Sequence, residues 1–298
     1  MDIRRLIRVK SHERALFLGF TDMTSATQAF FNILSTSDLA ALIRDGADRS
    51  IFDCRSKLGQ PGWGRRAFEG GHISGAQFLD LDHDLALPPS DAGRHPLPSL
   101  AQWLSIVRRF GVENTHQVVL YDDAGGAYAG RAWWMFRWLG HEAVAVLDGG
   151  LNAWQSDLDT STHPLPEPSE FQSKPALTKL VSTTDLVSST GRTLLDARAQ
   201  ARFDGEEEPI DPVAGHIPGA MCFPFPENLD ANGLFKAPEL LKKRFAKLGD
   251  DPICYCGSGV TACHNILAMH IAGLPEPTLY ADSWSGWITD PNREVASR

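Results

Sequence analysis

The sequence predicts an α/β protein of two tandem domains, each with a mostly parallel β-sheet flanked by helices. Two observations lead to this prediction. Short apolar runs alternate with helical stretches along the chain, which is typical of parallel sheets covered by helices. In addition, the second half repeats the motifs of the first half in the same order. A repeat at so long a period indicates duplicated domains rather than a solenoid.

The repeat rests on five collinear pairs of motifs. They are Ser35–Leu39 with Ser182–Leu186, Ile51–Arg55 with Leu194–Arg198, Gly71–Ala76 with Gly215–Ala220, Val119–Asp122 with Ile253–Cys256, and Leu151–Trp154 with Trp284–Trp287. The first pair has the form of a helix N-cap, and the second is a buried strand that ends in Asp-x-Arg. Chance does not produce five matches in one order.

Helices are predicted between these motifs. Periodic apolar stretches over residues 100–110, 131–139 and 238–248 are each followed by a glycine, the usual helix stop signal. The predicted organisation is a basic N-terminal extension (residues 1–24), a first domain (25–158), a proline-rich extended linker (159–175) and a second domain (176–298). The extension is interpreted as a start-codon artefact ahead of Met23, or else as a targeting segment.

The composition excludes several classes of binding partner and indicates a cellular compartment. The 298 residues carry a net charge of −9, which argues against a nucleic-acid or anionic-membrane partner. No run of 18 apolar residues marks a transmembrane helix. Five irregularly spaced cysteines do not form a disulfide framework and favour a reducing compartment, so we expect a cytoplasmic protein, or an organellar one if residues 1–22 are a genuine transit segment.

The stretch from Cys256 to Thr261 is the candidate catalytic loop. It reads as a strand, a tight loop with Gly257 and Gly259, and then a helix. Loop amides and the positive end of the helix dipole would stabilise a thiolate at Cys256, and the glycines allow the tight curvature. A buried structural cysteine is the ordinary alternative. A zinc site at Cys254, Cys256 and Cys263-His264 is disfavoured because no second ligand pair is suitably spaced.

These residues resemble the tandem rhodanese-domain sulfurtransferases over roughly residues 26–298. The shared features are the two halves, the Gly215–Ala220 motif Gly-His-Ile-Pro-Gly-Ala, and the loop cysteine. The sequence Cys-Gly-Ser-Gly-Val-Thr at 256–261 is similar to the mercaptopyruvate branch, whereas the thiosulfate branch has two cationic residues where Gly257 and Ser258 stand.

The resemblance implies a sulfurtransferase that needs no cofactor and no metal. Cys256 would take sulfur from a small anionic donor, 3-mercaptopyruvate or alternatively thiosulfate, and become a persulfide. A thiol, from a thioredoxin-like protein or a low-molecular-weight compound, or cyanide would then accept the sulfur.

The resemblance also assigns roles to individual residues. Arg202 would grip the donor carboxylate, although a solvated surface arginine is the ordinary alternative. Gly257, Gly259, Val260 and Thr261 would complete the substrate-binding loop. Ser258, His95 and Asp82 would manage the proton at the enolate leaving group, although His95 could be a plain loop histidine.

Three further features qualify this picture. Asp196 and Arg198 are expected to support the fold, with Asp196 accepting amide hydrogen bonds from the active loop and Arg198 pairing with an acid elsewhere. Asp122 stands where Cys256 stands in the repeat, so the first domain is expected to be non-catalytic. A second donor-binding arginine, usual in the mercaptopyruvate branch, is missing from the acidic stretch 207–212, which bears on donor identity.

Two other functions are weighed. Phosphatases of this fold need an arginine six residues after the cysteine, but position 262 is alanine and the loop is one residue short. A non-catalytic sulfur-relay or binding module would have a degenerate loop in both halves, whereas only the first loop is degenerate.

Overall fold

The computed structural model describes residues 29–162, 164–188 and 191–298. The predicted basic extension (residues 1–24) lies outside the described residues. The described chain forms ten strands: β1 Ile33–Leu34, β2 Arg49–Asp53, β3 Ala76–Phe78, β4 Gln117–Tyr121, β5 Val144–Leu147, β6 Lys179–Val181, β7 Leu194–Asp196, β8 Met221–Cys222, β9 Ile253–Tyr255 and β10 Thr278–Tyr280.

Ten α-helices connect and cover these strands in the described part of the chain. They are α1 Thr36–Arg44, α2 Trp63–Gly70, α3 Leu100–Arg109, α4 Ala129–Trp138, α5 Gly150–Ala153, α6 Thr183–Ser188, α7 Gln200–Asp204, α8 Pro238–Phe245, α9 Ala262–Ile271 and α10 Ser283–Trp287. None of the described helices is long and apolar enough to cross a membrane.

The strands form two parallel sheets of identical topology. The first has the order β1-β5-β4-β2-β3 and the second the order β6-β10-β9-β7-β8. Equivalent registers recur: Phe52 lies beside Leu120 in the first sheet, and Leu195 beside Cys254 in the second. The predicted α/β fold and its duplication are confirmed. The central strands β4 and β9 are buried throughout, as expected for parallel strands covered on both faces.

One hydrophobic core runs through both halves of the molecule. It contains Trp103 of α3 and Trp134 of α4 from the first half, with Leu241 of α8 and Ile266 of α9 from the second. Two smaller cores lie on the other faces of the sheets, under α1 and α2 in the first half and under α6 and α10 in the second. The helices that contribute to the shared core, α3, α4, α8 and α9, therefore lie between the two sheets.

Local sequence signals set the starts of two helices of the first domain. Ser35 and Ser99 form capping boxes at the starts of α1 and α3, where a serine side chain satisfies a free amide of the first turn. The helix predicted at 238–248 ends earlier, at Phe245, because the chain tightens into a turn in which the Leu248 amide donates to the Phe245 carbonyl at 3.1 Å.

The stretch between the domains is extended, but it packs closely on the first domain. The Ser169 amide donates to the Arg108 carbonyl at 2.9 Å, and Ser169 Oγ donates to the Val112 carbonyl. Phe171 is fully buried in the shared core. This apolar anchor explains why the proline-rich stretch lies against the first domain rather than projecting from it.

Candidate active site

Cys256 follows β9, the central strand of the second sheet, and precedes α9. In open parallel sheets the ligand crevice lies beyond the carboxyl ends of the strands, and Cys256 occupies that edge. Its side chain is 2% exposed and lines a cleft of about 350 Å³ that also includes first-domain residues such as Arg94, His95 and Tyr128. The cleft therefore forms between the two halves of the duplication.

The equivalent loop of the first domain shows what this loop geometry binds. The Asp122 carboxylate accepts four backbone amide hydrogen bonds at 2.8–2.9 Å, from Ala124 and Gly126 at Oδ1 and from Tyr128 and Ala129 at Oδ2. Successive amides and a helix N-terminus thus enclose one anion. The loop is an anion cradle that carries its own carboxylate.

The cradle around Cys256 has the same plan with a sulfur in place of the carboxylate. The backbone amides of residues 258–262 have no hydrogen-bond acceptor within the described residues. Amides without partners, in a loop that leads into a helix N-terminus, suit a bound anion.

A serine that sequence reasoning missed supports Cys256 from behind. The Cys256 amide donates to Ser283 Oγ at 3.1 Å, and Ser283 Oγ donates to the Tyr280 carbonyl. Among the described residues, Ser283 is the non-glycine residue with positive φ, at 54°. Its counterpart in the first domain is Gly150, at 56°. The sequence signal that could have identified Ser283 is the repeat, in which a serine stands where the first domain has a glycine.

Arg131 of α4 is the second residue that sequence reasoning missed. It is fully buried and donates to the Gly259 carbonyl of the active loop at 3.0 Å, and to the Leu85 and His95 carbonyls. It has no carboxylate partner among the described residues. Burial lowers the pKa of Arg131, and the nearby sulfurs of Cys263 and Cys256 act in the opposite direction. A guanidinium stays charged at neutral pH, so a buried cation faces the loop.

The structure brings Asp82, His95 and Ser258 together in a chain across the domain boundary. His95 Nδ1 lies 2.7 Å from Ser258 Oγ, and His95 Nε2 lies 3.4 Å from Asp82 Oδ1. Burial, and next the Arg131 cation, lower the pKa of His95 to about 4 despite the opposing effect of Asp82. His95 is therefore neutral at pH 7. With its hydrogen on Nε2 facing the carboxylate, Nδ1 accepts from the Ser258 hydroxyl.

Arg202 also lines the cleft, but it is held by two carboxylates. Its Nε and Nη2 atoms donate to Glu208 at 2.8–3.1 Å, and Nη2 also donates to Asp211 at 3.0 Å. Burial by itself raises the pKa of the Glu208 carboxyl, but hydrogen bonds from Arg202 and from the Asp211 and Ile210 amides outweigh it and lower that pKa. The acidic stretch that lacks a second arginine thus orients the first one.

The expected support of the active loop by Asp196 is wrong in its partner. The Asp196 carboxylate accepts from the amide and side chain of Arg198, its own motif partner, at 2.6–3.0 Å. Arg198 also donates to the Gly215 carbonyl and to Glu208. Arg198 is only two residues away and reaches both oxygens of the Asp196 carboxylate. Its hydrogen bonds therefore use the acceptors that were expected to serve the amides of the active loop. Asp53 and Arg55 repeat this arrangement with the Gly71 carbonyl, in a half that has no loop cysteine.

The remaining loop residues shape the cradle. Gly259 has φ 75° and lies against the Ala281 backbone, where a side chain would collide. Val260 is buried, and Thr261 occupies the N-cap position of α9 without capping it through its side chain. Gly257 lies against Arg94 and Arg202.

The other cysteines and the metal alternative carry no comparable chemistry. All five cysteines are unpaired. Burial raises the pKa of the thiols of Cys54, Cys222, Cys254 and Cys263, which keeps them protonated. In the described ranges, no group of three or more His, Cys, Asp or Glu side chains could hold a metal ion.

Comparison with known proteins agrees with the duplicated fold. The rhodanese-like domain family model matches residues 35–157 and again residues 177–290. The chain is 47% identical over 278 residues to a probable 3-mercaptopyruvate sulfurtransferase of Pseudomonas aeruginosa, covering 89% of this chain and 98% of that protein. It is 37% identical over 284 residues to a putative thiosulfate sulfurtransferase, SseB, of Mycobacterium tuberculosis, covering 88% and 96%.

A solved structure shows the same architecture. The crystal structure of SseA from Escherichia coli, described as a 3-mercaptopyruvate sulfotransferase, superposes with a TM-score of 0.74 at 31% sequence identity. The match covers 86% of this chain and 100% of that chain.

Proposed function

Because the chain belongs to the rhodanese-like family, we propose that it is a sulfurtransferase that moves sulfur from 3-mercaptopyruvate through a Cys256 persulfide to a thiol or cyanide. The observation that carries the proposal is the pair of cradles. The loop of the first domain encloses the Asp122 carboxylate with four amides, and the equivalent loop of the second domain has Cys256 at the position of Asp122. An anionic sulfur is the species that such a cradle stabilises.

In the first half-reaction, the Cys256 thiolate attacks the thiol sulfur of the donor. A sulfur–sulfur bond forms, the carbon–sulfur bond of the donor breaks, and its electron pair leaves as the enolate of pyruvate. The proton of the donor thiol must reach the enolate carbon for pyruvate to be released. Ser258, hydrogen-bonded to the neutral His95, is placed to carry that proton, and Asp82 orients the imidazole.

In the second half-reaction, the acceptor attacks the outer sulfur of the persulfide. The sulfur–sulfur bond breaks and the Cys256 thiolate is restored as the leaving group. Cyanide would leave as thiocyanate, and a thiol would leave as a persulfide. We propose a low-molecular-weight thiol or a thioredoxin-like protein as the acceptor in a reducing, cytoplasmic setting, where the five unpaired cysteines stay reduced.

One feature favours 3-mercaptopyruvate over thiosulfate as donor. Sulfite leaves thiosulfate without needing a proton, so the Asp82–His95–Ser258 chain has a task with an enolate leaving group and none with sulfite. Arg202 supplies a guanidinium for the anionic end of either donor, its Nε/Nη2 edge being fixed by Glu208. Asp122 occupies its own cradle, so the first domain contributes residues to the cleft but no nucleophile.

Steady-state sulfur transfer to cyanide, measured with each donor, tests this function. Wild-type protein incubated with 3-mercaptopyruvate alone should gain the mass of one sulfur atom and release one pyruvate. Cys256→Ser should do neither, whereas the cysteine of matched burial changed in Cys254→Ser should leave persulfide formation in place. Turnover by Cys256→Ser would exclude the mechanism. A kcat/KM about tenfold higher with thiosulfate would reverse the choice of donor.

A further inference from the structure

Arg131 of α4 is a fully buried arginine that contacts both domains. Its guanidinium donates to the His95 carbonyl at 3.1 Å in the first domain and to the Gly259 carbonyl at 3.0 Å in the second. Its Nε atom is buried and has no hydrogen-bond partner in the part of the chain that the structure describes. One side chain therefore bridges His95, a member of the proton-transfer chain, and the loop that carries Ser258.

We propose that Arg131 is the positioning residue of this proton-transfer chain: it holds His95 against the active loop, and its positive charge maintains the neutral imidazole. The inference rests on the proposed function, because the chain has its task in the reaction of 3-mercaptopyruvate. Among the described residues, those that line the cleft do not include Arg131. Arg131 therefore acts through His95 and not on the donor directly.

A second buried arginine of the same helix serves as a comparison. Arg137 also crosses the domain boundary, and its Nη2 atom pairs with the Glu276 carboxylate at 3.1 Å. Removing a charge from water is costly, and an ion pair offsets part of that cost. Arg131 bears the same cost with backbone carbonyls as its hydrogen-bond acceptors. The fold therefore gains less from the charge of Arg131 than from that of Arg137, which indicates a role in the active site.

The repeat provides an internal comparison for this charge. His264 of α9 occupies the corresponding position and bonds the Gly125 carbonyl of the first-domain loop at 2.9 Å. Burial lowers the pKa of His264 to about 4, so this side chain is neutral at pH 7. A neutral side chain is therefore sufficient to hold the loop of the other domain. The cation stands at the position whose partner loop carries Ser258.

The charges around His95 show what the cation does. Burial, and next Arg131, lower the pKa of His95, Asp82 raises it, and Arg94 lowers it further. A protonated imidazole donates from both ring nitrogens, so Nδ1 could no longer accept from Ser258. The Arg131 cation opposes the Asp82 carboxylate, and the carboxylate can thus orient the imidazole without protonating it.

Imidazole NMR titration of His95 tests the proposal without sulfur chemistry. We expect Arg131→Gln to raise the pKa of His95 by about one unit or more, the effect of removing one nearby like charge. Arg131→Lys should stay closer to wild type, because the ammonium keeps the charge and loses the planar fork. Arg137→Gln removes a buried arginine from the same helix. It is the matched control and should leave the pKa of His95 unchanged.

Donor kinetics provide the second readout. At pH 7, both Arg131 variants should lower kcat with 3-mercaptopyruvate by about tenfold, a part of what acid–base catalysis contributes. KM should change little, because the proton step and not donor binding is affected. Transfer from thiosulfate, which needs no proton, should also change little. In Arg131→Gln, the acid limb of the kcat profile with 3-mercaptopyruvate should move to higher pH together with the pKa of His95.

Two results would overturn the proposal. The first is an unchanged pKa of His95 in folded Arg131→Gln. If that variant does not fold, Arg131→Lys decides instead, and a kcat that falls equally with both donors, or with neither, is the second. If wild-type protein transfers no sulfur from 3-mercaptopyruvate, the proposed function fails, and the titration of His95 alone then decides the role of Arg131.

Discussion

At the scale of single residues, the difference between the two halves comes down to which anion the loop encloses. Asp122 brings a permanent carboxylate to its four amides, and Cys256 brings a sulfur whose charge changes during a reaction. Three residues near this sulfur make identifiable hydrogen bonds: Ser258 with His95, Ser283 with the Cys256 amide, and Arg131 with the Gly259 carbonyl. Each contact can therefore be tested with one substitution.

Ser258→Ala should separate the two donors. The variant loses the hydroxyl that contacts His95 at 2.7 Å and so the path for the proton to the enolate. We expect kcat with 3-mercaptopyruvate to fall by about 100-fold or more, the usual contribution of general acid–base catalysis. Transfer from thiosulfate, measured on the same protein preparation, should change little. Equal losses with both donors would instead assign Ser258 to the binding loop.

Ser283 offers a prediction about stability. Its φ of 54° is a strained region for a side chain, so the backbone alone would prefer glycine by about 1 kcal/mol. Ser283→Ala keeps the strain and loses the hydrogen bond from Cys256, and should lower the free energy of unfolding by about 1 kcal/mol. Ser283→Gly loses the same bond but relieves the strain, and should be close to wild type. Urea unfolding measures both, and equal destabilisation would contradict this account.

At the scale of elements, α4 and α9 exchange equivalent contacts across the domain boundary. Arg131 of α4 donates to the Gly259 carbonyl in the second loop at 3.0 Å, and His264 of α9 bonds the Gly125 carbonyl in the first loop at 2.9 Å. The two side chains occupy corresponding positions in the repeat. Each helix thus contacts the loop of the other domain, so the positions of the two loops are coupled through the packing of α4 and α9.

His264 predicts how stability depends on pH. It is fully buried, its Nδ1 faces Asn228, and burial lowers its pKa to about 4. A histidine with a lowered pKa in the folded state takes up its proton more readily when unfolded. Stability is therefore complete above about pH 6.5 and is lost as pH falls toward 4, by about 3 kcal/mol for this group.

Urea unfolding at a series of pH values checks the His264 prediction. His264→Gln, which stays neutral throughout, should lose about 3 kcal/mol less than wild type between pH 6.5 and 4. The remaining loss belongs in part to His95, whose pKa is also lowered to about 4. His83→Gln, at a side chain 81% exposed, should follow the wild-type curve. Parallel curves for His264→Gln and wild type would refute the assignment.

At the scale of the whole molecule, the two domains share one core and one cleft. Apolar residues of α4 and α9 belong to a single buried cluster, and the cleft takes Arg94, His95 and Tyr128 from the first domain. We therefore expect one cooperative thermal transition by calorimetry, with equal calorimetric and van't Hoff enthalpies. Two separable transitions would show that the domains unfold independently.

The fold was predictable because it depends on patterns that a sequence displays directly. Five collinear motif pairs revealed the duplication, and alternating apolar runs revealed the parallel sheets. The loop at 256–261 was predictable for the same reason, since its glycines and its helix follow one another along the chain. The grouping of Asp82, His95 and Ser258 rested on resemblance, as does the catalytic role assigned to them.

The contacts across the domain boundary could not be predicted in this way. Arg131 meets Gly259 over 128 positions of sequence, and Arg94 meets Asp211 over 117. Such contacts depend on how α4 and α9 pack, a property that no local pattern specifies. The Asp196 prediction failed for a related reason: the motif indicated two hydrogen-bonding residues but not that they bond to each other. The expectation that Arg198 pairs with an acid elsewhere is confirmed by its contact with Glu208.

The filled cradle at Asp122 has a consequence for how such a protein can change over generations. Enzymes commonly lose stability to the same features that give them activity, because a reactive group needs surroundings that remain unsatisfied until substrate arrives. Here stability and activity are served by two different copies of one loop. The first copy is internally satisfied and can accumulate stabilising substitutions without affecting turnover, while the second retains its reactive sulfur. Duplication thus allows the stability of the first domain to change without changing the rate of turnover in the second.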